Sequence, residues 1–187
     1  MRYGALTELP PGLPVPQDDG AAAHLPGMRL PPLALPATDG SAVDLTGLAG
    51  RAVVFCYPRT GRPGEPPLVD EWDLIPGARG CTPQSCAFRD LHAEFRALGA
   101  QVFGLSTQSA EYQQEAADRL HLPFLLLSDA RFEFASALCL PTFEAGGETL
   151  LKRLTLVACD GRIEKVFYPV FPPDKNADEV LSWLRQH

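Results

Sequence analysis

Residues 52–57 read AVVFCY, six apolar side chains in succession, stopped by Pro58. Successive side chains of a strand point to opposite faces, so a run with no polar member leaves neither face for water. Such a strand has to lie inside a sheet that is covered on both sides. Pro58 ends it because a prolyl nitrogen cannot donate to a central ladder.

The rest of the chain supplies the layers. From Pro83, Phe88, Leu91, Phe95 and Leu98 recur at helical spacing until Gly99 stops them, which predicts one helix of about four turns. QVFGLST (101–107) reads as a strand, Ser109 as the cap of the helix AEYQQEAADRLH, and FLLLSD followed by RFEFASALC repeats the strand-helix alternation. LLKRLTLVACDGRIEKVFYP predicts two strands joined at Asp160-Gly161, and NADEVLSWLRQH a terminal amphipathic helix. Upstream, LALPATDGSAVDL alternates around Asp39-Gly40 and predicts a short hairpin. The class is therefore α/β, a sheet flanked by helices on both faces.

Two segments stand apart. Residues 1–32 are proline-rich (PPGLPVP, LPP) without helical or strand period and read as a partly extended arm on a domain of residues 33–187. Residues 61–79 hold RPGEPPLVDEWDLIPGAR, too rich in proline and glycine for a regular element and long for a loop. Trp72 within it is expected to anchor the loop to the body by its apolar area.

At 187 residues and 45% hydrophobic content, the chain can bury one sizeable core without covalent staples. Its five cysteines are odd in number and scattered, and MRYGALTELPPG lacks the apolar centre of a signal peptide, so a reducing cytoplasm is expected. A net charge of −7 argues against binding nucleic acid through its phosphates. No apolar run approaches the roughly 20 residues that a membrane helix needs. Small molecules and other proteins are the expected partners.

The stretch GARGCTPQSCAFRD (77–90) then places Cys81 and Cys86 where a glycine-rich turn becomes a helix. With Thr82 as N-cap and Pro83 as first helical residue, Cys81 lies just ahead of the positive end of the helix dipole, which favours a thiolate. Ideal helical geometry separates Cα atoms five residues apart by roughly 8.6 Å and rotates them by about 140°, whereas a disulfide needs about 7 Å or less. The two sulfurs can bond only if the first turns unwind.

YPRT (57–60), GCTPQSCAFRD (80–90) and KRLTLVACDGRIEKV (152–166) together resemble the thiol peroxidases of the peroxiredoxin superfamily, in particular the bacterioferritin comigratory protein group, also called PrxQ. The resemblance runs from about Leu33 to the C-terminus. It implies a thioredoxin-like fold with a central mixed sheet, Cys81 as peroxidatic cysteine, Cys86 as resolving cysteine of the same subunit, and Arg153 as the active-site arginine. It also implies hydrogen peroxide or an organic hydroperoxide as substrate, a thioredoxin-like dithiol as reductant, no metal, flavin or haem, and a monomer or a homodimer.

One departure is visible. The family pattern Pro-x-x-x-Thr-x-x-Cys is absent, since Ala78 stands three before Cys81 and Leu74 seven before. Pro58 follows the strand as the family proline does, with Thr60 close behind, so residues 61–79 read as an insertion that splits the motif, with Thr60 expected to fold back and supply the missing hydroxyl. Cys56, Cys139 and Cys159 adjoin apolar runs and are expected in the core, Cys139 being the alternative resolving thiol if its helix frays. The competing function is a peroxide-responsive sensor whose partner surface is switched by the Cys81–Cys86 bond. A dithiol oxidoreductase fits poorly, because that chemistry usually has Cys-x-x-Cys.

Overall fold

The computed structural model describes residues 6–187. Its strands are β1 (Ala34–Pro36), β2 (Ala42–Asp44), β3 (Arg51–Cys56), β4 (Ala100–Ser106), β5 (Leu126–Ser128), β6 (Thr142–Ala145), β7 (Glu148–Leu151), β8 (Leu154–Cys159) and β9 (Arg162–Phe167). The α-helices are α1 (Cys81–Asp90), α2 (His92–Ala97), α3 (Ala110–Arg119), α4 (Glu133–Leu138) and α5 (Asn176–Leu184). The apolar run forms β3, which lies at the centre of a five-stranded sheet ordered β5-β4-β3-β8-β9. It runs parallel to β4 and antiparallel to β8, so the sheet is mixed.

Strand alternation explains why this run has no polar member. Val53, Phe55 and Tyr57 enter one core with Phe88 and Phe95 of α1 and α2 and Val180, Leu181 and Leu184 of α5. Ala52, Val54 and Cys56 enter the other, against Phe134 and Leu138 of α4 and Leu35 of the β1–β2 hairpin. On β4, Gly104 lets the sheet close: a Cβ there would sit 2.5 Å from Leu126 Cδ2 and 2.9 Å from the Phe55 ring.

Two parts of the chain differ from expectation. The helix predicted from Pro83 to Leu98 is broken at Leu91, whose backbone (φ −101°, ψ 9°) leaves the helical region and divides it into α1 and α2. The break keeps Phe88 and Phe95 in the same core, their ring centroids 5.5 Å apart. An antiparallel hairpin, β6–β7, turns at Gly146-Gly147 and takes Leu150 and Leu151 away from the strand expected to begin there. Its Phe143, Ala145 and Leu150 face away from the main cores and pack with Trp72, Leu68 and Ile75, so Trp72 anchors the loop as expected.

The arm is part of the folded body. Ala22, Leu25 and Leu30 are buried in the core that holds α4. Gly27 N–H donates to Ile163 O at 2.8 Å and Ile163 N–H to Met28 O at 2.9 Å, which covers the β9 edge. Residues 1–5 of the arm lie outside the described residues. Among the described residues no helix is long and apolar enough to cross a membrane.

The scattered cysteines divide. Cys56 is fully buried, and burial pushes its thiol far above the ordinary range. Cys159 is half-buried, and Cys139 is exposed at the end of α4. The expectation that all three are core residues holds at Cys56 and fails at Cys159, which joins no core cluster, and at Cys139, where a left-handed backbone (φ 48°) closes the helix.

Candidate active site

Three segments converge on Cys81: the end of the long loop, the start of α1, and the connection from β7 to β8 that carries Arg153. The helix begins two residues earlier than expected. Gly80, not Thr82, is the N-cap, with φ 113°, and Cys81 is the first helical residue. Glycine is needed there for two reasons: the left-handed backbone, and the space, since a Cβ would lie 2.6 Å from Pro173 Cγ and 2.9 Å from Leu9 Cδ2.

Cys81 is 4% exposed and Arg153 is 3% exposed. Arg153 Nη2 donates to Cys81 Sγ at 3.2 Å, to Ala78 O at 3.0 Å and to Arg79 O at 3.4 Å. Its Nε donates to Gly77 O at 3.3 Å and its Nη1 to Gln84 Oε1 at 2.5 Å. The guanidinium is thus held by neutral oxygens on all sides except at the sulfur, the one partner in the set that can carry negative charge.

Behind the arginine runs a buried chain of amides. Gln84 Nε2 donates to Asn176 Oδ1 at 3.0 Å, and the Thr155 hydroxyl donates to the same oxygen at 2.6 Å. Tyr57, at the end of β3, is fully buried with its hydroxyl on Gln113 Oε1. Burial, and then the charge of nearby Cys81, push its phenol well above the ordinary tyrosine range, so it stays neutral. Gln84, Asn176, Thr155 and Tyr57 were not singled out from the sequence. Only Gln84 carried a signal, being one helical turn beyond Cys81 on the same face.

Thr60 does not meet its expectation. Its N–H and hydroxyl both donate to Gln108 Oε1, at 2.8 and 3.2 Å, and its carbonyl accepts from Gln108 Nε2 at 3.1 Å. These bonds tie the segment after Pro58 to the residues following β4, so the hydroxyl is engaged on the sheet rather than at the sulfur.

Cys86 lies in the second turn of the same helix, partly exposed, and burial raises its thiol. Both cysteines are unpaired, and α1 is continuous between them. Cys81 opens onto a cleft of about 560 Å³ bounded by Thr82, Arg59, Arg62, Leu68, Trp72 and Tyr112. Among the described residues, no three His, Cys, Asp or Glu side chains are grouped to hold a metal ion.

A mixed sheet flanked by helices, with a cysteine on the first residue of a helix beside a buried arginine, defines a thioredoxin-like thiol protein. The Redoxin family model matches residues 25–181, taking in the last part of the arm. Chloroplastic peroxiredoxin Q of Sedum lineare is 32% identical over 177 residues, spanning 94% of this chain and 86% of its own length. Peroxiredoxin Bcp of Escherichia coli K12 is 32% identical over 167 residues, spanning 84% and 93%. The crystal structure of peroxidoxin BcpB from Mycobacterium tuberculosis superposes with a TM-score of 0.70 at 28% identity, covering 87% of this chain and 98% of that one. The chain belongs to the Redoxin family as a peroxiredoxin of the Bcp/PrxQ group, a peroxide-reducing oxidoreductase.

Proposed function

We propose that the protein reduces hydrogen peroxide and organic hydroperoxides in a two-cysteine cycle. The observation that carries this reading is the 3.2 Å contact of Arg153 with Cys81 Sγ at the helix start, on the wall of an open cleft. The Cys81 thiolate attacks one peroxide oxygen, the O–O bond breaks, and the other oxygen leaves with a proton as water or an alcohol. Cys81 becomes a sulfenic acid. Arg153 holds the thiolate and, with its N–H groups, the charge that develops on the departing oxygen.

Cys86 then attacks the sulfenic sulfur, water leaves, and a Cys81–Cys86 disulfide forms. An external dithiol such as thioredoxin reduces it by exchange through a mixed disulfide. Because both cysteines sit in unbroken α1, bond formation requires the first two turns to unwind. A reducing compartment such as the cytoplasm fits a cycle that an external dithiol has to restore.

The test is peroxide consumption coupled to thioredoxin, thioredoxin reductase and NADPH. Wild type is expected to turn over, Cys81→Ser to be inert, and Cys86→Ser to consume one equivalent of peroxide and stall. Sustained turnover in Cys86→Ser would move resolution to exposed Cys139 or an outside thiol. An inert wild type would favour the sensor reading.

A further inference from the structure

The backbone that has to move before Cys81 and Cys86 can bond is not free, because the arm runs across it. A Cβ on Gly80 would sit 2.9 Å from Leu9 Cδ2, and one on Gly77 would sit 3.7 Å from Pro16 Cβ and Cγ. Between them these glycines span the backbone whose carbonyls hold Arg153. At the other end of the long loop, a Cβ on Gly61 would lie 3.7 Å from Leu6 Cδ2. The arm therefore packs on both ends of the loop and on the residue that starts α1. Leu6, Leu9 and Pro16 are each partly buried by these contacts.

The way the arm is held suits it to let go. Pro10, Pro11, Pro14 and Pro16 fix φ along this stretch and remove backbone donors, so little conformational entropy is lost in laying it down. Among the described residues, the arm makes no backbone hydrogen bond to the body before Gly27, whose N–H reaches Ile163 O. What fastens the earlier stretch is side-chain packing and one clasp, the Asp19 carboxylate, which accepts from Lys152 Nζ and from the Tyr168 hydroxyl, each at 2.7 Å. Lys152 is the neighbour of Arg153, so the clasp closes beside the active-site arginine. Opening such a segment costs only its own packing and leaves the sheet intact. While it is closed, the start of α1 cannot unwind without displacing Leu9 from Gly80, and that displacement adds to the cost of every opening.

We infer that the arm from Leu6 to Asp19 is a strap that holds the start of α1 closed and so sets how the Cys81 sulfenic acid divides between two fates. This rests on the two-cysteine peroxidase reading. In one fate the strap lifts, α1 opens, the Cys86 sulfur bonds to the Cys81 sulfur, and the S–O bond breaks to release the hydroxyl as water with the thiol proton. In the other the strap stays down and a second peroxide meets the sulfenic acid. The sulfur then takes one peroxide oxygen and becomes a sulfinic acid, the O–O bond breaks, and the other oxygen leaves as water or an alcohol. A tighter strap lengthens the life of the sulfenic acid and favours the second fate.

The experiment gives a hydrogen peroxide pulse to reduced wild type, Leu9→Ala, Leu9→Met, Asp19→Ala and Leu45→Ala, and follows thiol, disulfide and sulfinic acid by intact mass after acid quenching and alkylation. Leu9→Ala is expected to form the disulfide roughly three- to tenfold faster than wild type, since the closed state loses part of a leucine's burial, and to leave less sulfinic acid at the same peroxide concentration. Leu9→Met, of similar volume, is expected to stay near wild type. Asp19→Ala, clasped to Lys152 and Tyr168 rather than to α1, is expected to move in the same direction as Leu9→Ala by a smaller factor. A disulfide rate unchanged in Leu9→Ala or in Asp19→Ala overturns the inference. So does an equal acceleration in Leu45→Ala, a core deletion on the other face of the sheet from Cys81, because general loss of stability would then explain the effect. A wild type that consumes no peroxide would sink the peroxidase reading itself, whereas a wild type that forms the disulfide at the same rate as its strap variants would sink only this inference.

Discussion

Arg153 does two jobs with one planar group, binding the sulfur and fastening the loop end by Gly77, Ala78 and Arg79 carbonyls. Arg153→Lys keeps the charge and loses the fork, and Arg153→Gln loses both. Stopped-flow peroxide consumption is expected to fall by about 10²- to 10³-fold in Arg153→Gln and by less in Arg153→Lys, the range seen when one preorganised donor is removed. Gln84→Ala leaves Arg153 Nη1 and Asn176 Oδ1 each short of a buried partner, so urea denaturation should show a loss of about 1–3 kcal/mol. Cys86 adds a pH dependence. Its reactive form is the thiolate, and burial raises its thiol, so fewer molecules are charged at a given pH than for a free cysteine near 8.5. The rate of disulfide formation, followed by Trp fluorescence after a peroxide pulse, should climb through a midpoint above that value. A profile flat from pH 7 to 10 would contradict it.

Among the elements, the proposed cycle asks α1 to be stable in one state and dispensable in another. Its first turn rests on Gly80, where an alanine meets Pro173 and Leu9 as well as an unfavourable backbone. Gly80→Ala is expected to cost about 2–4 kcal/mol in thermal or chemical denaturation, from left-handed strain and overpacking together. Disulfide formation should remove the hydrogen-exchange protection of amides 84–90 while β3 and β4 amides keep theirs, since the sheet does not depend on this turn. Protection of those α1 amides in the oxidised protein would show that Cys86 is not the resolving thiol.

Across the whole molecule, the arm and the loop are long proline-rich segments with opposite anchors. The arm reaches the core through Leu25, which is fully buried, and Asp19 joins it to Lys152 at 2.7 Å and to the Tyr168 hydroxyl at 2.7 Å. The loop reaches the β6–β7 hairpin through Trp72 and Phe143, ring centroids 6.3 Å apart. Leu25→Ala is expected to cost about 2–5 kcal/mol, as a core deletion does, and to lower the melting temperature by several degrees. A change within 0.5 kcal/mol would mean that the arm is a surface appendage.

Much of this was legible from local pattern alone. An unbroken apolar run locates β3 and the period of 3.6 locates α3 and α5 because each depends on side chains a few residues apart, and Ser109 caps α3 through its bond from Tyr112 N–H as composition predicts. The cysteine at a helix start and the arginine before β8 belong to short motifs and were equally readable. The β6–β7 hairpin was not, because its apolar residues pack on Trp72, about 70 positions earlier in the chain, and not on a neighbouring strand. Thr60 misled because its partner Gln108 is 48 residues away. By itself the sequence determined the order of the elements and the chemistry placed on them. Only the tertiary structure decided that Arg153 meets Cys81 across 72 residues, that Gln84 and Asn176 lock it there, and that loop and arm enclose a cleft around the thiol. Such contacts are set by how whole elements pack, and no local period encodes them.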